Sequence, residues 1–282
     1  MLATMKELLD LAESKSIGIA AFDTPNLENV IAVIKAAEEL DQPVIIMHVQ
    51  AHEGFMPLTI IGPIMVALAK TASVPVCVHL DHGETLEHVK LALSMGFTSV
   101  MYDGSVLPFD ENVANTITAV KMAKKYGASV EAEIGVLGVK ETADGKGVIQ
   151  EEVYTDPDEA KRFVDATGID ALACSFGTVH GLYLEEPNLD MSVVENVRKT
   201  ANIPIVMHGG SGVSDADFIK AIKFGVRKVN YYTYMAKAGG QAVKENILSN
   251  PNDDVYFHDL VLLSIEAMKQ HVKSMLKVFH KL

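Results

Sequence analysis

The chain is poor in cysteine, in basic residues and in long apolar runs, and each shortage closes off a class of function. There are two cysteines in 282 residues, Cys77 and Cys174. Both lie in apolar, strand-like runs, where a thiol packs as a small core side chain; neither a disulfide nor a catalytic thiol is expected. A reducing compartment follows. Lys and Arg number 24 against 37 Asp and Glu, a net charge of −13. General nucleic-acid binding needs a basic face that this balance does not supply. A small anionic substrate stays open, because a few backbone amides can bind phosphate inside an acidic protein. No window reaches the roughly 18 uninterrupted apolar residues of a membrane span. The N-terminal segment reads as an amphipathic helix with acidic residues, without the apolar core and cleavage site of a signal peptide. A cytoplasmic protein with no membrane partner is the expectation.

What is present is a regular alternation. Hydrophobic residues make up 49% of the chain, enough for a large core without staples. Apolar runs that read as strands fall at Ile17–Phe22, Val44–Val49, from Val76, Ser99–Asp103, Ser129–Ile134, Ala171–Phe176 running on to His180, Ile205–His208 and Val229–Thr233. Between them, helical spacing covers Asn26–Leu40, about Leu58–Ala72, about Leu86–Met95, Asn112–Tyr126, a segment opening at Asp156-Pro157, about Asp190–Thr200 and Asp215–Phe224, with long helices closing the chain, including about Asp259–Phe279. Such alternation requires parallel strands with right-handed crossovers. Eight units in this length fit an α/β fold of the closed (β/α)8 type, a TIM barrel with additional C-terminal helices, as a single domain over 1–282. A doubly wound sheet is the alternative, but the Gly-rich dinucleotide turn it usually carries after its first strand is missing. Gly135 to Val148 reads as a long loop and a candidate lid.

Three of these strands end in a histidine followed by glycine: His82-Gly83, His180-Gly181 and His208-Gly209. In a barrel such tips converge on one face, and three neutral imidazoles with an open position make a catalytic zinc site. Asp81 precedes the first of them. Neighbours on a strand face opposite ways, so Asp81 can serve the same pocket only if the strand bends; Gly83 makes that plausible and Asp81 a candidate acid/base. Asp103, Glu131 and Glu133 are further strand carboxylates, open to a second cation position, a ligand-orienting network or a buried structural ion pair with a lysine; Glu133, nearer its strand's end, is favoured over Glu131 for site contact. The run Gly209-Gly210-Ser211-Gly212 opens a helix after the seventh strand, where barrels commonly bind phosphate. The strands as read carry no lysine towards their C-terminal ends, which speaks against Schiff-base chemistry and for metal-assisted chemistry. His48 and His52 lie at the end of the second strand and in its loop, within reach of a substrate. His79 reads as core, and His88, His258, His271 and His280 as surface residues on helices or their edges.

Taken together, Ala21-Phe22, His79-Leu80-Asp81-His82-Gly83, Met101 to Ser105, Val130 to Gly135, Phe176 to Gly181, His208 to Gly212 and Val229-Asn230 resemble the class II, metal-dependent ketose-bisphosphate aldolases, the fructose- and tagatose-bisphosphate aldolase family. The resemblance covers nearly the whole chain. It implies reversible cleavage of a phosphorylated ketose to dihydroxyacetone phosphate and an aldehyde through a zinc-stabilised enediolate. By position, His82, His180 and His208 are then zinc ligands and Asp81 the proton donor to the aldehyde oxygen. Glu133 and Asp103 resemble the pair that can take a second monovalent or divalent cation, and Glu141 lies near the family's loop glutamate. Gly181, Gly209, Gly210, Ser211, Asn230, Tyr231, Tyr232 and Thr233 would hold the dihydroxyacetone phosphate end. A homo-oligomer, dimer or tetramer, is implied as well. The departures are Asp23, where the family usually has Asn, the tyrosines of the eighth strand, and a loop after the second strand without its usual serine. They bear on which substrate fits, not on the metal chemistry. Two other readings are a metallohydrolase on the same barrel, whose usual His-x-His pair and bridging lysine are missing from the first strand, and a catalytically silent sugar-phosphate binder.

Overall fold

A computed structural model of the chain describes residues 1–140, 148–149, 152–181, 183, 187–252 and 254–282. Eight parallel strands close into a barrel. In chain order the strands are β1 (Ile19–Asp23), β2 (Val44–Val49), β3 (Val76–Gly83), β4 (Ser99–Tyr102), β5 (Ser129–Ile134), a short antiparallel pair β6 (Val139–Lys140) and β7 (Val148–Ile149), then β8 (Ala171–Cys174), β9 (Ile205–Met207) and β10 (Val226–Tyr231). The strand β1 pairs with both β2 and β10, which closes the ring. The helices are α1 (Met5–Lys15), α2 (Leu27–Leu40), α3 (Leu58–Thr71), α4 (Leu86–Ser94), α5 (Phe109–Tyr126), α6 (Pro157–Thr167), α7 (Met191–Ala201), α8 (Asp215–Phe224), α9 (Thr233–Ser249) and α10 (Phe257–His280). A 3-10 turn, Gln50–Gly54, follows β2.

Local chemistry fixes where the helices begin. The side chains of Asn26, Thr85, Asp156, Asp190 and Ser214 each accept a backbone N–H from the first turn they precede. A cap of this kind stabilises a helix by about 1 kcal/mol.

Strand alternation then sorts the core into two layers. On β2, Ile45 and Met47 pack inside the barrel with Cys77, Ala171, Ala173 and Val206, while Val44 and Ile46 join the layer between strands and helices. Met5, Leu8, Leu9 and Ala12 of α1 belong to the inner set, so α1 plugs the barrel's N-terminal mouth. Along the inner rows the side chains turn polar towards the C-terminal tips. Cys77 gives way to His79 and Asp81 and Val206 to His208, while Lys228 and Asn230 make the inner row of β10 polar throughout its upper part, all buried. The chemistry is therefore built on the upper layers of an otherwise apolar plug.

Several sequence expectations shift. The sixth barrel strand, β8, stops at Cys174, so His180 stands on the loop beyond it rather than at a strand tip. The eighth, β10, begins at Val226, three residues before the expected start, and carries Lys228 fully buried inside the barrel. His280 is not a surface residue: it is buried and its Nδ1–H donates to Gln42 Oε1 at 2.8 Å. Burial pushes that imidazole down to about 4. His271 pairs with the Tyr231 hydroxyl at 3.0 Å, and the His88 ring is about nine-tenths buried beside Glu53. Of the four, His258 alone is widely exposed. Of the 135–148 segment, β6 and the start of β7 are described, and residues 141–147 lie outside the described residues.

Candidate active site

The site starts from a bend in β3. His82 adopts a left-handed backbone, φ 43°, and the β3–β4 register slips between Leu80 and Gly83. The turn swings the imidazole to the side that Asp81 already faces, leaving Nε2 4.0 Å from an Asp81 carboxylate oxygen. Gly83 permits it by close packing: a Cβ there would lie 2.6 Å from the Met101 carbonyl oxygen and 2.9 Å from Leu80 Cδ2.

Three imidazoles meet at this bend. His82 Nε2 is 2.9 Å from His208 Nδ1 and 3.2 Å from His180 Nε2. Tetrahedral zinc with Zn–N bonds of about 2.0–2.1 Å sets ligand nitrogens about 3.3 Å apart, so the donor set and its spacing fit a zinc-sized ion. Two of the three imidazoles are oriented from behind. His82 Nδ1–H donates to Asp103 Oδ2 at 2.8 Å, and Asp103 Oδ1 accepts the N–H and hydroxyl of Ser105 at 3.1 and 2.7 Å. His208 Nε2–H donates to Glu131 Oε1 at 2.9 Å. Both bonds leave a lone pair aimed at the centre, which is how carboxylates commonly fix a metal-binding tautomer. The backbones bearing His180 and His208 also touch. Gly209, at φ 65°, sits so close that a Cβ would be 2.3 Å from the Val179 carbonyl oxygen.

Beneath the trio lies a buried charge network. Lys228 Nζ is 2.9 Å from Glu131 Oε2 and 4.0 Å from Asp81 Oδ1. Burial works against a charge on Glu131, yet Lys228 and the bond from His208 hold its carboxyl down to about 2. Burial opposes ionisation of Asp81 too, and His82 and Lys228 outweigh it, keeping Asp81 well below the usual carboxylate range. Asn230 Nδ2 donates to both Asp81 oxygens, at 3.0 and 3.2 Å. Glu133 behaves oppositely: burial and then the neighbouring Asp103 push it well above the ordinary carboxylate range. His82, Asp103 and Glu133 offer ligand atoms within 4.8 Å of one another, so the acidic pair can share a cation with His82.

Two clefts meet at His180. One, about 220 Å³, is lined by His82, Glu84, Asp103, Glu133, Leu137 and His180 among others. The other brings together Asp23, Asp81, Gly181, Gly209, Gly210, Ser211, Asn230, Tyr232 and Thr233. Ser211 Oγ accepts the Tyr232 N–H at 3.1 Å, tying the loop after β9 to the end of β10. Tyr231 belongs to the same wall, but its ring turns outward against Phe22, Phe218 and Phe279, so of the two tyrosines expected at the phosphate end it is Tyr232 that keeps its ring there. His52 lies against it, ring centroids 5.8 Å apart. Glu141 lies outside the described residues. Sequence reasoning ranked Glu131 below Glu133 and missed Lys228. The signal available was period-two spacing, Lys228 standing two residues before Asn230 on the same inward row.

Comparison with known proteins points to one family. The family model for class-II fructose-bisphosphate aldolase covers residues 3–282. The chain belongs to that family. A fructose-bisphosphate aldolase of Staphylococcus aureus is 37% identical over 284 residues, spanning 99% of this chain and 97% of the relative. The crystal structure of the YdjI aldolase from Escherichia coli K12 superposes with a TM-score of 0.85 at 36% identity, covering 99% of this chain and 97% of that one. This family member is thus an aldolase-type lyase on a TIM barrel. No described helix is long and apolar enough to cross a membrane.

Proposed function

We propose that the chain, acting as one barrel domain, is a zinc-dependent aldolase that reversibly cleaves a phosphorylated ketose to dihydroxyacetone phosphate and an aldehyde. The observation that carries the reading is the convergence of His82, His180 and His208 ring nitrogens beside the Asp81 carboxylate. His82 and His180 through Nε2 and His208 through Nδ1 would hold the ion. When bound, zinc supplies a Lewis acid that polarises the substrate carbonyl and stabilises the charge left by bond cleavage.

The protein's own groups do the rest. Asp81, ionised and held by Asn230, takes the proton from the hydroxyl β to the carbonyl as the carbon–carbon bond breaks, and returns it in the condensation direction. The electron pair stays with the dihydroxyacetone phosphate carbon, which is then protonated; Glu141 is proposed for that proton. Gly181, Gly209, Gly210 and Ser211 line the second cleft, and main-chain N–H groups there, other than that of Gly210, which donates to the Asn230 carbonyl, suit a phosphate. Asp23 and Tyr232 line the same cleft and select the sugar. The acidic balance and the soluble family support a cytoplasmic location, and the exposed Phe257 and Leu262 of α10 support a homo-oligomer.

The test is dihydroxyacetone phosphate release, by coupled assay, over a panel of ketose mono- and bisphosphates. Release that stops with a chelator, returns with zinc and vanishes in His180→Ala is expected. A zinc-loaded, folded chain that cleaves none of the panel overturns the reading.

A further inference from the structure

The barrel's outer layer holds a second set of metal-ligating side chains that share no residue with the histidine trio. His48 occupies an outward position on β2 and is fully buried. Its Nε2–H donates to the Met56 carbonyl at 2.9 Å. That fixes the tautomer and leaves a lone pair on Nδ1, which has no hydrogen-bond partner among the described residues. His88 lies in the first turn of α4, with its backbone N–H on Thr85 Oγ1. Its ring is about nine-tenths buried, and its Nε2 likewise has no hydrogen-bond partner among the described residues. Glu53 Oε1 stands 3.5 Å from that nitrogen and accepts the Leu58 N–H at 2.7 Å. The three residues offer ligand atoms within 4.8 Å of one another.

A buried polar nitrogen without a partner is costly, and here two belong to one cluster with a carboxylate. A proton between His88 and Glu53 would satisfy one of them. It would leave His48 Nδ1 facing no donor, because an ionised Glu53 has none to give and the His88 proton would already be engaged. A divalent ion satisfies all three groups together.

We propose that His48, Glu53 and His88 form a structural metal site for a divalent transition ion of the zinc class, outside the barrel wall. Two imidazoles and a carboxylate, with a water as fourth ligand, suit zinc in geometry and softness. The site joins the Gln50–Gly54 turn to α4. Gln50 Oε1 already accepts the Glu84 N–H at 2.8 Å, so the ion adds a second tie between the loop after β2 and the segment that follows His82. The wall held this way carries His52 against Tyr232.

Chelator-stripped full-length chain, equilibrated with micromolar free Zn²⁺, is weighed by native mass spectrometry. Wild type is expected to bind one equivalent more than His88→Gln and one more than Glu53→Gln. The latter keeps a carbonyl oxygen for the Leu58 N–H, so it isolates the lost ligand from a lost fold. Zn²⁺ should raise the melting temperature of wild type by more degrees than that of either variant. His180→Ala should lose a different equivalent and keep the one that depends on His88, so failure at the barrel centre and failure here are told apart. Equal zinc content in wild type and a folded Glu53→Gln chain overturns the proposal, and marks the cluster as a hydrated hydrogen-bond network.

Discussion

Lys228 Nζ and Glu131 Oε2 stand 2.9 Å apart inside the barrel, both side chains fully removed from solvent. The pair is what lets Glu131 remain ionised while it accepts from His208. Breaking a buried pair by removing one partner leaves an uncompensated charge, at a cost of about 3–5 kcal/mol. Lys228→Met is therefore expected to lower unfolding free energy by that order. Metal affinity should fall roughly 10–100-fold, the usual effect of disturbing a group that orients a metal-binding histidine. Adding Glu131→Gln to it should recover stability without recovering affinity. Denaturant melts and zinc titration of the single and double variants check both parts.

Asp81 is placed to move a proton, not to hold the ion. Asp81→Ala should keep the zinc equivalent of the histidine trio while cleavage falls by about 10²–10⁴-fold, the usual contribution of a positioned acid or base. Metal content and turnover measured on the same preparation separate the two roles. Unchanged turnover removes Asp81 from the mechanism.

Gly83 is required by contact rather than by torsion. A methyl group there meets the Met101 carbonyl oxygen at 2.6 Å, and β3 must shift to admit it. Gly83→Ala is expected to destabilise the fold by about 1–3 kcal/mol and to depress activity by moving His82. Thermal melts alongside turnover report both; a variant as stable and active as wild type shows that the bend does not depend on this glycine.

Acid should weaken the fold through His280. Its folded-state value is about 4, below the ordinary histidine value of about 6.5. A group depressed in this way contributes stability that is complete above about pH 6.5 and is lost as pH falls towards 4, because the unfolded chain takes up the proton first. The contribution is at most roughly 3 kcal/mol. Melting temperature followed between pH 7 and 4 should fall less steeply in His280→Gln than in wild type. Parallel slopes would place the acid sensitivity elsewhere, with His52, also held at about 4 by burial, the next to test.

How much of this was legible in the sequence depended on how local the cause was. The start of β2 could be read from a β-branched run opened by Pro43, the start of β5 from Gly127 ending the helix before it, and the trio from three His-Gly pairs, since each signal is a few residues long. The overrun of the sixth strand to His180 came from its apolar continuation through Phe176, which packs as core without being a strand. Lys228 escaped because a lysine at the edge of an apolar run reads as solvent-facing; the residue that makes its burial tolerable, Glu131, is on another strand, paired only once the barrel closes. His280 was misjudged for a similar reason, as its partner Gln42 follows α2, far back in the chain. The direction of the Tyr231 ring, like the inward row of Lys228, was readable. Tyr231 follows inward-facing Asn230, so strand alternation alone turns its ring outward.

The nesting of Gly209 against Val179 has a practical meaning for redesign. The main-chain stretches bearing His180 and His208 are in van der Waals register, so neither can be rebuilt by itself: a loop grafted after β8 would drag the other imidazole out of place. Changing which sugar the barrel accepts is then a task for Asp23 and for His52 of the Gln50–Gly54 turn, whose side chains can be exchanged without disturbing that joint.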